Sequence, residues 1–296
     1  MPADHGRFAF SPIVRRPPLR WPGDARVAVW VIPNVEHFRF DRPFTWSPGE
    51  GSVPDVPGYA LRDYGNRVGV WRIMRVLDRY GVRATVALNA EVCDAEPEII
   101  RAGAERGWEW MGHGETNSSR LVGLDETEER RVIATSLERI EQATGVRPRG
   151  WLGPGLGETE RTPDLLRELG VTYVADWVND DQPYPMHTRH GPLYAIPYTL
   201  QLNDKRIYEA RGAPGRELYQ MIVDQFDTLY AEGAESGRVM AIALHPYLTG
   251  VPHRIRYLDE GLAYIHGHPG VWWATGSEIV EAHRCATATT PAAGPA

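Results

Sequence analysis

Ionisable residues follow four short apolar runs of this 296-residue sequence. Glu36 comes shortly after "RVAVWVIPN", and His113 stands between two glycines after "WEWM". Asp176 follows "VTYVA", and His245 ends the run "RVMAIALH". Carboxylates and imidazoles transfer protons to and from a reacting amide, and they also bind divalent metals. These residue types therefore indicate hydrolysis by acid and base catalysis, with or without a metal ion.

Six further residues lie at or just beyond strand-like runs and could bind a substrate. Asparagine side chains complement a ring amide or imide, because such a ring presents paired C=O and N–H groups. Tryptophan side chains could form walls of the pocket, and an arginine could anchor the substrate. The candidate substrate-binding residues are Asn34, Asn117, Trp151, Trp177, Asn203 and Arg206.

Apolar runs of strand length alternate with amphipathic runs of helix length through most of the chain. The run "RVAVWVIPN" is typical of a buried strand, whereas Val70, Ile73 and Leu77 recur at helical spacing before Gly81. About eight such alternations predict parallel βαβ units. We therefore expect an α/β fold, an irregular (β/α) barrel of seven to eight parallel strands in a single domain.

In such a barrel the chemistry lies at the carboxyl ends of the strands, so the candidate residues should converge on one rim. An open doubly wound sheet is the alternative, and it also binds ligands beyond its strand ends. No glycine-rich nucleotide motif follows a strand. Residues 1–20 are predicted to wrap the outside of the domain, which spans residues 21–284. Residues 285–296 are predicted to form a flexible tail.

The composition is typical of a globular protein, with 42% hydrophobic and 24% charged residues. A net charge of -7 argues against nucleic acid or an anionic membrane as the main partner, so we expect a small-molecule substrate. The N-terminal stretch has no continuous apolar core and no apolar run could span a bilayer, which favours a cytoplasmic location. Cys93 and Cys285 form no CxxC or zinc-finger spacing and are predicted to be free thiols.

The order of several motifs resembles the polysaccharide deacetylase (NodB-like, carbohydrate esterase family 4) superfamily. These motifs are "NVEHF", "GHGETNS", "GWLGPG", "VADWVNDDQPY", "IPYTLQLND" and "ALHPYLTGVPHR". Within that superfamily the likeness is greatest to the branch of urate-catabolism allantoinases and cyclic imide hydrolases, to which "YGNRVGVWR" is specific. The likeness covers most of the chain, and it implies that the protein is a homo-oligomer.

The resemblance also implies which residues could hold a metal. Metal-dependent members use two aspartates, a base and a ligand, and then two ligand histidines. The matching positions here are Asn34 and Glu36, then His113 and Asn117. One ligand histidine is thus replaced by an amide, so the first expectation is no metal cofactor. The alternative is weakly bound Zn or another divalent metal on Glu36, His113 and Asn117, with His37 as a possible additional ligand.

The resemblance implies the roles of His245 and Asp176, whereas the roles of Glu36 and His113 are predicted from the chemistry of their side chains. Glu36 is expected to be the base, His245 the general acid, and Asp176 the residue that orients His245. His113 is expected to orient water or to donate to the oxyanion. The expected reaction is hydrolysis of a non-peptide C–N bond in a small cyclic amide, imide or ureide, with little or no metal dependence. The alternatives are a metal-dependent N-deacetylase of a polysaccharide or peptidoglycan, and a non-catalytic binding protein on the same fold.

Overall fold

The computed structural model of the protein describes residues 5–42 and 52–288. Within these ranges the strands are β1 (Val27–Val35), β2 (Thr85–Leu88), β3 (Glu109–Gly112), β4 (Gly150–Trp151), β5 (Tyr173–Val174), β6 (Tyr184–Met186), β7 (Leu193–Ala195), β8 (Arg238–Leu244) and β9 (Val271–Trp273). The helices are α1 (Val56–Tyr64), α2 (Val70–Arg79), α3 (Val92–Ala95), α4 (Pro97–Glu105), α5 (Glu126–Thr144), α6 (Thr162–Glu168), α7 (Arg216–Glu232), α8 (Pro246–Thr249), α9 (Ile255–His266) and α10 (Gly276–Ala288). Two π-helical turns span Gly65–Gly69 and Lys205–Ala210.

The strands form one curved sheet, a half-barrel with helices packed on its outer face. Its order is β6-β7-β5-β4-β3-β2-β1-β8, and β9 pairs with the first part of β1. Neighbouring strands are parallel apart from β6 and β7, which are antiparallel. The chain beyond β7 meets β8 at an isolated bridge between Asn203 and Ala243. The prediction of a single-domain α/β fold with an irregular (β/α) barrel is confirmed.

The sequence did not predict the antiparallel strand β6. This strand has three residues, one of which is Pro185, and it follows a stretch rich in Asp and Asn. Asp, Asn and Pro all favour turns, so the sequence around it is more typical of a turn than of a strand. The described sheet therefore has an antiparallel strand, β6, at one edge, whereas only seven to eight parallel strands were expected.

Strand β1 divides the core because its side chains alternate between the two faces of the sheet. Val29 and Val31 pack on the outer face with residues of α2, α7 and α9. Trp30 and Ile32 fill the barrel interior, and Trp30 Nε1 donates to Pro197 O at 3.0 Å. All nine residues of β1 are buried, as is typical of a parallel strand that is covered on both sides.

Both ends of the described chain pack against the half-barrel. In the N-terminal segment Arg7 forms an ion pair with Asp164, and Trp21 packs in the barrel interior with α10. Helix α10 continues to Ala288, so the prediction that the flexible tail begins at Cys285 is wrong by four residues. Residues 1–4 of the wrapping segment and 289–296 of the tail lie outside the described residues. Cys93 is buried, Cys285 is exposed, and no disulfide joins them within the described residues.

The carboxyl ends of β1, β3 and β8 lie at the same rim of the half-barrel because these strands run parallel. The ladder continues one residue past β3, since His113 N donates to Leu88 O at 3.0 Å. The first π-helical turn packs against the turn after His245. A Cβ on Gly69 would lie 2.1 Å from Pro246 O, so this approach requires glycine. Among the described helices, none combines the length and apolar character that crossing a lipid bilayer requires.

Candidate active site

Three side chains from three parallel strands meet at this rim. Glu36 follows β1, His113 follows β3 and His245 follows β8. The Nε2 atom of each histidine lies 3.6 Å from the same oxygen, Glu36 Oε1. The three side chains are only 7%, 3% and 5% exposed. A carboxylate and two imidazoles therefore share one small, nearly enclosed site, as the parallel arrangement of strands led us to expect.

The orientation of His113 is fixed by the neighbouring strand. Its Nδ1 lies 2.6 Å from the backbone oxygen of Leu152, which follows β4. A carbonyl oxygen only accepts, so Nδ1 carries a proton and donates it. The lone pair of a neutral His113 is then on Nε2, the atom that faces Glu36. Gly114 adopts a φ of 71°, a left-handed conformation that lets the chain turn directly after this histidine.

The orientation of His245 is fixed by Asp204, which is fully buried. His245 Nδ1 lies 2.7 Å from Asp204 Oδ1, and the backbone N of His245 donates to Asp204 Oδ2 at 2.7 Å. Thr249 Oγ1 also donates to Oδ2 at 2.7 Å. Because a carboxylate holds Nδ1, the Nε2 atom of His245 faces Glu36. The imidazole of His245 therefore lies between two carboxylates, Asp204 and Glu36.

Asp176 does not contact His245, so the prediction that it orients this histidine is wrong. Its Oδ1 accepts a hydrogen bond from Gly153 N at 2.8 Å, and Glu158 is the carboxyl group that influences its charge. Burial and the charge of Glu158 raise the pKa of Asp176 well above its ordinary value. Asp176 therefore joins the loops that follow β4 and β5. The motif resemblance placed it correctly at a strand end but could not show which side chains it faces.

The environment of Glu36 stabilises its charged form. Burial alone would raise the pKa of Glu36, but His245, His113 and Lys205 outweigh burial and lower it to about 2. Asn117 Nδ2 donates to Glu36 Oε1 at 2.5 Å, whereas Oε2 is buried without a hydrogen-bond partner in the described part of the chain. A carboxylate with so low a pKa is a weak base, since a good general base has a pKa near the working pH. The low pKa therefore favours a charge-stabilising role for Glu36 over its predicted role as the base.

Two asparagines that the sequence analysis did not select hold this part of the site together. Asn89, directly after β2, donates to His113 O and to Asn117 Oδ1, and it accepts from His37 N at 2.9 Å. Asn66 donates to the backbone oxygen of Glu36 at 3.0 Å. Asn89 ends the predicted strand "RATVALNA", so its position at a strand end was a usable signal.

The sequence analysis also missed a lysine that lies near this site, Lys205. Lys205 Nζ donates to Tyr247 Oη at 3.0 Å and forms an ion pair with Glu209 at 2.8 Å. The ring of Tyr247 lies 5.8 Å from the ring of His245, so the ammonium is connected to the site through Tyr247. The neighbouring Arg206, which was the predicted anchor, is exposed. The cation beside the site is therefore Lys205.

The other predicted substrate-binding residues take structural positions. Asn34 donates to Ile32 O, Leu244 O and Tyr198 Oη, so its amide joins β1 to β8. Asn203 donates to Tyr198 and Thr199 and accepts from the backbone N of Lys205. Both amide groups are thus occupied by the protein itself. Their prediction as substrate ligands is wrong, because hydrogen bonds within the rim use their donors.

The two predicted tryptophans differ in position. Trp151 is fully buried in the cluster between α5 and α6, with its ring against Gly112, so it is a core residue and its prediction as a substrate ligand is wrong. Trp177 is half-buried, and its Nε1 donates to Glu158 at 3.2 Å. The ring of Phe8 packs edge-on against Trp177 at 5.2 Å. Trp177 thus connects the N-terminal segment to the loop after β5.

The donor set fits a divalent metal poorly. Asn117 directs an N–H donor at Glu36, and its oxygen accepts from Asn89 at 3.2 Å. His37, the possible additional ligand, turns its Nδ1 to Glu91 at 2.9 Å. In residues 5–42 and 52–288, no three His, Cys, Asp or Glu side chains are grouped to hold a metal ion. The second histidine position of the motif is thus filled by an amide that donates to Glu36 and offers no ligand atom to a metal.

A cleft of about 1450 Å³ lies apart from these residues. It opens at the seam of the half-barrel, between Pro197 and Tyr198 on one side and Val239 and Ala241 on the other. Its lining does not include Glu36 or either histidine of the site. Tyr198 connects the two regions, because its hydroxyl lies 3.3 Å from Asn34 Nδ2. The cleft and the cluster of Glu36, His113 and His245 thus lie in different parts of the molecule.

Known proteins resemble this chain over most of its length. A family model described as polysaccharide deacetylase matches residues 59–174. A probable polysaccharide deacetylase from Pseudomonas aeruginosa is 32% identical, with a TM-score of 0.81 over 91% of this chain and 95% of that chain. Puue allantoinase is 30% identical, with a TM-score of 0.85 over 98% of this chain and 99% of that chain. The peptidoglycan deacetylase of Helicobacter pylori is 23% identical over 79% of this chain and 88% of its own length.

A half-barrel with a carboxylate and two imidazoles at the ends of its strands defines an α/β hydrolytic enzyme. The chain belongs to the polysaccharide deacetylase family, because two relatives with at least 30% identity match more than nine tenths of its length. The sequence-based recognition of this family and of its allantoinase-like branch is confirmed. So is the prediction of an enzyme that hydrolyses C–N bonds other than peptide bonds. The alternative of a non-catalytic binding protein is therefore not favoured.

Proposed function

We propose that this enzyme opens a small cyclic amide, imide or ureide by adding water across one C–N bond of the ring. The observation that carries the proposal is the placement of His113 Nε2 and His245 Nε2 at 3.6 Å from one carboxylate oxygen. Two imidazoles on one carboxylate can hold different protonation states at the same time. One imidazole can then accept a proton while the other donates one, as hydrolysis of an amide requires.

His113 is the base in this mechanism. Its Nδ1 donates to a neutral carbonyl, whereas the Nδ1 of His245 donates to the carboxylate of Asp204. We assign His113 as the base because its Nε2 carries the lone pair when Nδ1 donates to a carbonyl, and His245, whose Nε2 also faces Glu36 Oε1, as the acid. A water molecule gives its proton to His113 Nε2, and its oxygen bonds to the ring carbonyl carbon.

His245 completes the reaction. As the C–N bond breaks, the Nε2 proton of His245 passes to the leaving nitrogen, and the ring opens to an acid and an amine or amide. Glu36 stays ionised throughout and stabilises whichever imidazole is protonated. Its Oε2, which has no hydrogen-bond partner in the described part of the chain, is an acceptor for the second proton of the attacking water. When one proton then moves from His113 to His245, both histidines have regained their starting protonation states.

The substrate class is supported by the size and donor chemistry of the site. The low exposure of the three side chains, 3–7%, favours a small molecule over a polymer chain as the substrate. The relative that matches 98% of this chain is named as an allantoinase. The metal-dependent deacetylation of peptidoglycan is less well supported, because Asn117 points a donor at the position where that reaction needs a ligand.

The test is an assay of the purified enzyme on a panel of hydantoins, imides, allantoin and N-acetylated sugars, with and without chelator. Turnover of a ring substrate that chelator does not reduce is the expected result. Release of acetate from an N-acetylated sugar, abolished by chelator and restored by zinc, would support the deacetylase alternative instead. Glu36→Gln serves as the matched inactive variant, since it removes the charge and keeps the shape.

A further inference from the structure

Lys205 is the single lysine of the sequence, because the other 31 of its 32 basic residues are arginines. The two cations differ physically. An ammonium is a compact charge with three N–H donors, whereas a guanidinium is a larger planar fork. A chain that uses arginine at every other cationic position has a lysine at the position near the candidate active site. This placement indicates a task for which the size or the donor geometry of an ammonium matters.

The side chain of Lys205 is held in place from two directions. Its Nζ donates to Tyr247 Oη at 3.0 Å and forms an ion pair with Glu209 Oε2 at 2.8 Å. Its backbone N donates to Asn203 Oδ1 at 3.0 Å. The preceding residue, Asp204, is the one that orients His245. The ammonium and the acid of the proposed reaction are therefore positioned by consecutive residues of the same turn.

One N–H of the ammonium is left for a ligand. An ammonium has three donors, and two of them are used by Tyr247 and Glu209 within the described residues. The side chain is 36% exposed, so the third donor is accessible to a small molecule. Tyr247 lies beside the acid, with its ring 5.8 Å from the ring of His245. The residue that accepts from the ammonium is thus a neighbour of the proposed acid.

The ammonium keeps its charge at this position. Burial disfavours a charged lysine, but Tyr247, Glu36 and Glu209 outweigh burial and raise the pKa of Lys205 above its ordinary value. A lysine with a raised pKa is a poor nucleophile and a poor base. Its remaining chemical use is to stabilise negative charge. In amide hydrolysis that charge develops on the carbonyl oxygen when water adds, and metal-dependent hydrolases bind that oxygen with the metal.

We propose that Lys205 donates its third N–H to the carbonyl oxygen of the scissile ring amide and stabilises the oxyanion, with Tyr247 and Glu209 holding the ammonium in place. The proposal rests on the proposed function. It gives Lys205 the role that the metal has in metal-dependent hydrolases, because the residues here fit a metal poorly. A fixed cation at a partly buried site needs no reorganisation during the reaction, which is the condition under which such groups are most effective.

The first test compares three variants on a ring substrate. Lys205→Met removes the charge and keeps an extended side chain, and we expect kcat to fall by roughly 10²–10³-fold while KM changes less than about threefold. Lys205→Arg keeps a cation to pair with Glu209. We expect this variant to have the same thermal midpoint as the wild type, but a kcat that is still reduced by about tenfold or more. Arg211→Met is the control, since Arg211 is exposed just beyond the same turn and pairs with Glu217.

Two results in this assay would overturn the proposal. A rise in KM with unchanged kcat in Lys205→Met would mean that the lysine binds the ground state and not the developing oxyanion. Full recovery of kcat in Lys205→Arg would mean that the position needs only a partner for Glu209. Circular dichroism and thermal unfolding of each variant establish that the loss of rate is not a loss of fold.

A second measurement does not depend on turnover. Methylphosphonate places negative charge on tetrahedral oxygens, and its binding can be measured by calorimetry. We expect the wild type and Arg211→Met to bind it with equal affinity. Lys205→Met should bind it at least about tenfold more weakly. If this difference persists in an enzyme that hydrolyses no ring amide, the proposed function fails, whereas the stabilisation of an oxyanion by Lys205 stands for another substrate. Equal binding by Lys205→Met and the wild type, or binding by neither, overturns the role of Lys205 whatever the reaction.

Discussion

Asp204 accepts a hydrogen bond from His245 Nδ1 at 2.7 Å, although 41 residues separate the two along the chain. The same carboxylate accepts from the backbone N of His245, so it fixes both the ring and the main chain of the proposed acid. The orientation of this histidine therefore depends on a residue outside its own strand, on the loop that bridges to β8. The resemblance to the family had assigned this role to Asp176.

Asp204→Asn should lower kcat by roughly 10²–10⁴-fold. An asparagine can present an N–H donor to His245 Nδ1, which removes the charge that stabilises the imidazolium and disturbs its tautomer. Steady-state kinetics on a ring substrate measure the effect. Asp176→Asn is the comparison, because its Oδ1 can still accept from Gly153 N, and we expect kcat within about threefold of the wild type. A larger loss in Asp176→Asn than in Asp204→Asn would restore the original assignment.

Glu36→Gln should reduce kcat by roughly 10³-fold without unfolding the protein. The amide is isosteric, but it cannot stabilise a protonated imidazole as a carboxylate does. Glu115→Gln is the matched control in the second motif, since Glu115 pairs with the partly exposed Arg131 at 3.2 Å. Activity of the wild-type level in Glu36→Gln would remove the central residue from the mechanism.

The pH dependence of kcat/KM distinguishes the two candidate bases. The pKa of Glu36 is lowered to about 2, so this carboxylate is already ionised at pH 4 and does not change charge between pH 4 and pH 9. Imidazoles in general change charge between about pH 5 and pH 8. We expect kcat/KM to fall as the pH drops through that range, because a protonated base cannot accept a proton from water. A rate that stays constant from pH 8 to pH 4 would contradict an imidazole base and favour Glu36.

Asn117→His should create a zinc site. Asn117 already points its side chain at Glu36 Oε1, so a histidine there would add a nitrogen donor to Glu36 and His113. We expect one equivalent of tightly bound zinc by calorimetry and elemental analysis, while the wild type turns over its substrate undiminished by chelator. Ser118→His is the control, since Ser118 Oγ accepts instead from Arg39 N, and this variant should bind no zinc. Loss of wild-type activity on chelation, with recovery on added metal, would contradict the proposed chemistry.

His283 should make the folded state sensitive to acid. Burial and the nearby charge of Arg16 lower the pKa of His283 to about 4 in the folded protein, whereas an unfolded histidine has a pKa of about 6.5. As the pH falls through this window the unfolded state takes up the proton first, so the free energy of unfolding falls. The contribution is lost between about pH 6.5 and pH 4 and amounts to roughly 2–3 kcal/mol.

Denaturant unfolding of His283→Leu at pH 7 and at pH 4 measures this contribution. Between pH 7 and pH 4, the free energy of unfolding should fall by about 2–3 kcal/mol less in the variant than in the wild type. His266→Gln provides the comparison, because His266 is exposed and should leave the pH dependence as it is in the wild type. Identical slopes for His283→Leu and the wild type would show that His283 is not held neutral in the folded state.

Much of the fold follows from local patterns that the sequence displays directly. The residues of β1 are apolar throughout, which is typical of a parallel strand buried on both faces, and all nine are buried. Helix α2 has its apolar residues at helical spacing, as predicted. Strand β6 was missed because three residues that include a proline carry too weak a local signal. It forms because it pairs with β7.

The sequence by itself determined that Glu36, His113 and His245 meet. Each follows a strand of a parallel sheet, and the carboxyl ends of such strands share one rim whatever the details of the packing. Only the tertiary structure decided that Asp204 orients His245, that Lys205 lies near the site and that Trp151 belongs to the core. These three features depend on the course of the loops and on the face of a two-residue strand from which a side chain projects. Long-range packing, and not the local sequence, determines both.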